Sequence, residues 1–284
     1  MDGIPAIACG RLVDASLHVN TIVDIKGHFD SRTGLRDSLS SERRNGKMRS
    51  AIYNELAMGR IAFVLIFFSL PSLAQTTFDL SADFSLHDNP NKVWQYGYSE
   101  TNSLAPDQFR LDKQADETVP VGFWHPDTNK GPGPGYYPYV AYNTTKQSQA
   151  WPSPNGWIVR GGEVAMEASN SGQYSLVRFV APVAGIYKIS AQFEGVHVWS
   201  TTDVHVLHNG TSLFDADIDG YGGDPAFRKV EGANPTATYS GQIEMKANDS
   251  VTFAVGYGKN KTNSGDTTGL FARVVLLKKT EGGK

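Results

Sequence analysis

Aromatic rings set among amides and charges are the most suggestive chemistry in this chain. The segments "VGFWHP" (Trp124), "GYYPY" (Tyr136, Tyr137), "QAWPSPNGW" (Trp151, Trp157) and "VHVWS" (Trp199) place rings in Gly-, Pro- and Asn-rich surroundings. A flat ring suits the C–H face of a sugar, and polar neighbours suit its hydroxyls. A buried hydroxyl left without a partner costs about 1–3 kcal/mol, so such neighbours set specificity. Arg160 and Asp203 are nearby polar groups, with Asn129 and Asn155. The expected ligand-binding set is therefore Trp124, Tyr136, Tyr137, Trp151, Trp157, Trp199, Arg160 and Asp203. The competing expectation is that these loops fold over the core and are pinned by their own rings. Trp94 and Tyr96 alternate within "NKVWQYGYS" and are expected in the core.

The acids and histidines offer less. "DADIDG" (Asp215 to Gly220) has the acids and glycine that open a calcium loop. Such a loop also needs a bidentate Glu at its twelfth position, which here is Ala226. The same residues alternate as a strand would, so an acidic solvent face is expected. His205 and His208 are three apart, so strand geometry sends them to opposite faces. His197, beside Trp199, is read as a solvated hairpin residue. Glu163 and Glu167 are carboxylates whose separation in space the sequence does not supply. There is no G-x-S-x-G nucleophile elbow, and "GPGPG" follows no strand-to-helix unit.

Compartment is read from "MGRIAFVLIFFSLPSLAQ". Arg60 gives a positive start, Ile61 to Phe68 an apolar run, and Ser72 to Ala74 a small-residue cut site before Gln75. This is the anatomy of a secretory signal peptide. The run is too short for a membrane span, which takes ~20 apolar residues. Residues 1–57 are polar, carry the single cysteine, Cys9, and are expected to be a disordered extension or an upstream misreading of the start. Residues 58–74 are then the leader and 75–284 one domain. That domain keeps 17 of 26 basic and 22 of 29 acidic residues, since residues 1–74 hold 9 and 7, leaving a net charge of −5. Its mild acidity argues against nucleic acid as a partner. Without a thiol it has neither a cysteine nucleophile nor a cysteine zinc site.

The elements that must position these groups are strands. Two-residue alternation runs through "TFDLSADF", "GIYKISAQFEG", "SVTFAVGYG" and "GLFARVVLLKK". In the second, Tyr187, Ile189, Ala191 and Phe193 face one way; Lys188, Ser190, Gln192 and Glu194 form the wet face. Asn209-Gly210 between two alternating runs predicts a tight hairpin. Residues 102–155 read as loop-rich, and "NKGPGPGYYPYVAYN" reads as excluded from a central strand. The fold class expected is all-β: an antiparallel β-sandwich or jelly roll.

The run "YSLVRFVAPVAGIYKISAQFEG", with "TTDVHVLHNGTSLF", "GDTTGL" and "NPNKVWQYGYS", resembles secreted bacterial jelly-roll domains of the galactose-binding-like, carbohydrate-binding-module type. The resemblance covers most of residues 78–277. It implies binding of a polysaccharide or cell-surface glycan, and a structural calcium ion between strands, for which Asp266 is the foremost candidate with Asp83 and Asp249 as helpers. The chain departs from surface-sorted relatives in ending "KKTEGGK". The expected function is a secreted, non-catalytic carbohydrate-binding or cell-surface protein. The alternatives are a glycan-active hydrolase or lyase on the same scaffold, and a structural envelope or matrix protein.

Overall fold

The computed structural model describes residues 75–126 and 137–280. The leader-like stretch, the upstream extension, Tyr136 and Asn129 lie outside these residues. The described chain is an antiparallel β-sandwich. Its larger sheet runs, in spatial order, Thr236–Met245, Gly185–Gly195, Thr268–Lys279, Val164–Glu167, Tyr139–Asn143, Val121–His125 and Gln114–Asp116, and Thr76–Asp79 also pairs with Thr268–Lys279. The smaller sheet runs Thr211–Asp217, Asp203–His208, Ser250–Val255, Ser175–Val180, Trp94–Ser99 and Phe109–Leu111.

Alternation explains the core. Tyr187, Ile189 and Phe193 from one sheet meet Val177, Phe179, Phe253 and Val206 from the other, all fully buried. Trp94 and Tyr96 join them, as their spacing predicts, and Trp94 packs edge-on against Phe179 at 5.5 Å between ring centroids. Truncating a buried aromatic of this kind to alanine costs ~3–5 kcal/mol. The Asn209-Gly210 hairpin forms with φ of 49° and 83°, the left-handed pair that a two-residue turn requires. The strand predicted across "TFDLSADF" stops early. Asp79 accepts hydrogen bonds from the amides of Ser81 and Ala82 and caps a short helix, Leu80–Asp83. An aspartate at that point competes with the ladder for the backbone.

One further expectation is corrected. Tyr139–Asn143, the end of "NKGPGPGYYPYVAYN", is an interior strand between Val121–His125 and Val164–Glu167. The proline that would forbid it stands at 138, one residue before the ladder begins. A small hairpin, Gln149–Trp151 with Trp157–Val159, covers the outer face of this part of the sheet and buries Val121, Phe123, Tyr139 and Ala141 beneath it. Among the described residues no helix is long and apolar enough to cross a membrane.

Asp112 links Phe109–Leu111 of one sheet to Gln114–Asp116 of the other. It is buried, and neither carboxylate oxygen has a hydrogen-bond partner among the described residues. Burial alone raises its proton affinity well above the usual carboxylate range. The folded state then keeps a proton that the unfolded chain releases above about pH 4, so stability falls as pH rises from there toward the folded value. Urea unfolding at several pH values is expected to show Asp112→Asn losing part of that decline, by at most about 1.4 kcal/mol per pH unit. An unchanged slope would mean that Asp112 is ionised and compensated.

Candidate functional site

The outward residues of three neighbouring strands form a concavity. The register places Thr238, Gln192 and Phe271 in one row across the sheet. The next row is Ser240, Ser190, Arg273 and Asp79, and Lys188 stands opposite Val275 in a third. Over these rows lies a groove of about 780 Å³, also lined by Gln75, Ser81 and Leu277. This volume falls in the range of small-molecule sites, ~300–1,000 Å³. Phe271 is a ring beside hydroxyls, an amide and charges, with Val275 and Leu277 as further apolar groups of the groove.

Two polar groups of the groove are held in place. Arg273 donates from Nε and Nη2 to Asp79 Oδ2, at 3.0 and 2.8 Å. Gln192 Nε2 donates to Glu194 Oε2 at 2.9 Å. Glu194, two residues further along the wet face, is fully buried, contrary to the alternation reading. It also accepts from Arg160 Nε at 2.7 Å. The Arg160 backbone amide donates to Glu163 Oε2 at 2.6 Å, while Glu163 Oε1 has no donor among the described residues. Glu163 is fully buried; desolvation, then the neighbouring Glu194, raises its proton affinity well above the usual range. Gly269 is what admits this carboxylate, since a Cβ there would lie 1.8 Å from Glu163 Oε1.

The expected ligand-binding residues separate into three groups. Trp124 and Trp157 are 6% and 5% exposed. Trp124 Nε1 donates to the Ser85 carbonyl, and Trp157 packs against Phe123 and Tyr139. Tyr137 and Trp151 are half-buried against the same cluster, so these four rings pin the structure. Arg160 belongs to the acid network beside the groove. Trp199 and Asp203 belong to the loop end. Trp199 is 67% exposed, with the His197 ring at 5.0 Å and Gly265 against it. His197 is buried rather than solvated. Next to this segment, Thr201, Asn260, Lys259, Asp217, Asp219 and Asn234 line a smaller cavity of about 260 Å³. Asp203 accepts from the Gly258 amide at 2.7 Å and holds His205 Nε2 at 2.7 Å; His205 Nδ1 meets Asp215 at 2.5 Å. Burial works against a charged His205, but the two carboxylates outweigh it and raise its proton affinity.

The three acids expected at an ion do not converge. Asp249 sits in the turn before Ser250–Val255, at the Gly185 end of the sandwich; Asp266 sits at the Gly195 end. Asp266 accepts from the Thr201 amide and hydroxyl at 2.8 and 3.0 Å, and from Asn260 Nδ2 at 3.1 Å. Asp83 accepts from Trp94 Nε1 and pairs with Lys92. With both Asp266 oxygens committed to protein donors, this donor set does not fit a calcium ion. Among the described residues no group of three or more His, Cys, Asp or Glu side chains is arranged for a metal. Glu163 and Glu167 bound one short strand and serve separate networks. Glu167 accepts from Tyr139 and Thr267, and burial pushes its carboxyl up to about 8.

No protein-family model and no curated protein matches this sequence. Among solved structures, CBM51 from Clostridium perfringens GH95, in complex with methyl-galactose, is similar at a TM-score of 0.32 and 9% identity, over 71% of this chain and 100% of that one. A family 35 carbohydrate-binding module from Clostridium thermocellum follows at 0.27 and 12%, over 45% and 87%. Rabbit GITRL is similar at 0.23 and 13%, over 37% and 74%. Carbohydrate-binding modules thus recur among the structural neighbours, at low identity. The sandwich itself stands on its own sheet topology.

Sequence reasoning passed over Phe271, Gln192, Lys188 and Arg273. The signal was present: an aromatic and an arginine alternate on the wet side of "GLFARVV". Thermal or urea unfolding is expected to separate the rings by role. Trp157→Ala should cost ~3–5 kcal/mol of stability, and Trp199→Ala under ~0.5 kcal/mol. Equal costs would refute this division.

Proposed function

We propose that the chain is an exported carbohydrate-binding β-sandwich that holds an oligosaccharide along the outer face of its larger sheet. The row Thr238–Gln192–Phe271 carries this reading. It sets a ring for stacking beside an amide whose orientation is fixed by Glu194, with hydroxyls and two cations in the adjoining rows. Groups built on paired strands lose little freedom on binding, which favours recognition of a hydroxyl-rich ligand. The exposed Trp199 at the loop end offers a second ring to the same class of ligand. Glu163, Glu167 and Glu194 are each at most 3% exposed, which favours a binder over a hydrolase or lyase using those acids. Export rests on the leader-like residues 58–74, and N-terminal sequencing of the mature protein is expected to begin at Gln75.

A glycan array, followed by calorimetry on the hits, tests the binding. Phe271→Ala and Gln192→Ala are each expected to weaken affinity about tenfold or more, equivalent to ~1.4 kcal/mol, with the fold retained. Release of reducing ends from a bound polysaccharide would favour the hydrolase. Affinity untouched by Phe271→Ala would remove the groove as the site.

A further inference from the structure

The buried acids beside the groove have a feature that structural support alone does not require. Glu194 receives two donors, Arg160 Nε and Gln192 Nε2, one on each oxygen. Glu163 receives one, the Arg160 amide on Oε2, and its Oε1 lies over Gly269 without a donor among the described residues. Glu194 stands opposite Gly269 in the ladder, and Glu163 Oε1 lies over Gly269, so the two carboxyl groups are neighbours on one face of the sheet. Two buried carboxylates against one guanidinium leave an uncompensated charge, whereas one proton on Glu163 supplies the missing donor and balances the array. Gly269 keeps the approach to Glu163 clear.

We propose that Glu163 and Glu194 share one proton, and that this pair is a positioning unit that sets the orientation of the Gln192 amide in the groove. With the proton in place, the Glu163 hydroxyl donates to Glu194, and Glu194 holds Gln192 Nε2, so the Gln192 carbonyl remains free to accept from a ligand. Loss of the proton sets two like charges side by side, and Glu194 must move away from Glu163. Gln192 then loses its anchor. The charged and titratable groups around the pair are Arg160 and, beyond it, Asp224, Tyr221 and Arg228; Lys188 and the Asp79–Arg273 pair stand on the groove itself. The inference that ligand affinity follows the proton rests on the groove being the binding site; the proton itself does not.

The two are separated by a readout that needs no ligand. In the intact protein, the ¹H–¹⁵N signals of the Gln192 side-chain amide are followed as pH is raised from the usual carboxylate range across the whole range in which the fold is retained. They are expected to move in a single titration step, and Glu163→Gln, whose amide donates to Glu194 without titrating, is expected to hold them constant. Glycan affinity measured over the same range is expected to fall severalfold in the native protein and to be flat in Glu163→Gln. Gln192 signals that do not respond to pH in the native protein, or that still titrate in Glu163→Gln, would overturn the proposal. If the amide titrates as described but no glycan binds, the positioning unit stands and the binding reading fails.

Discussion

The pairing of Gly185–Gly195 with Thr268–Lys279 is the constraint on which the rest depends. These two strands stay in antiparallel register along almost their whole length, with one irregularity at Ile186/Tyr187. Because side chains alternate, a single register decides both faces at once. Inward it sets Phe193 beside Leu270 and Ile189 beside Val274, in the core. Outward it sets Gln192 beside Phe271 and Ser190 beside Arg273, in the groove. Core and site are thus two products of one ladder. A slip of one residue would exchange them, and the apolar penalty of doing so keeps the groove's rows in place.

Polar burial in this protein is concentrated where strands meet loops. Glu163 and Glu194 at one side of the groove, Glu167 with Tyr139 and Thr267, and Asp266 with Thr201 and Asn260 are each enclosed. A buried carboxylate is costly unless donors surround it. Asp266 has them. Among the described residues, Glu163 lacks one and the Asp112 carboxyl lacks all. Both carboxyls are accordingly pushed toward the neutral form. Burial raises the Asp266 carboxyl as well, but the hydrogen bonds from Asn260 and Thr201 oppose that shift, whereas at Glu163 the neighbouring Glu194 adds to it.

The aromatic side chains show how far local reasoning reaches. Trp151 and Trp157 sit in a Pro- and Asn-rich loop, which suggests exposure, yet they fold back over Phe123 and Tyr139 as the lid of a second small core. Trp199 has a similar sequence setting and stays 67% exposed. Nothing in the neighbouring residues distinguishes the two cases. The difference arises from which sheet face lies beneath each loop. The outer face under Trp157 carries Val121, Phe123 and Ala141 and needs a cover. Trp199 meets His197 and a glycine turn and stays largely exposed.

The sequence by itself determined the all-β class, long alternating strands such as Gly185–Gly195 and Thr268–Lys279, the Asn209-Gly210 hairpin, and most of the separation of apolar from wet residues on those strands. These follow from a period of two and from turn chemistry, both of which are local. Tertiary structure decided which wet residues share a groove, that Glu194 would be buried beside Glu163 and Arg160, and which rings remain outside. Those facts depend on the order and register of strands distant in the chain: Gln192 and Phe271 are neighbours only because two sheet partners align them. Alternation tells a residue which way to face, but long-range pairing tells it what it faces.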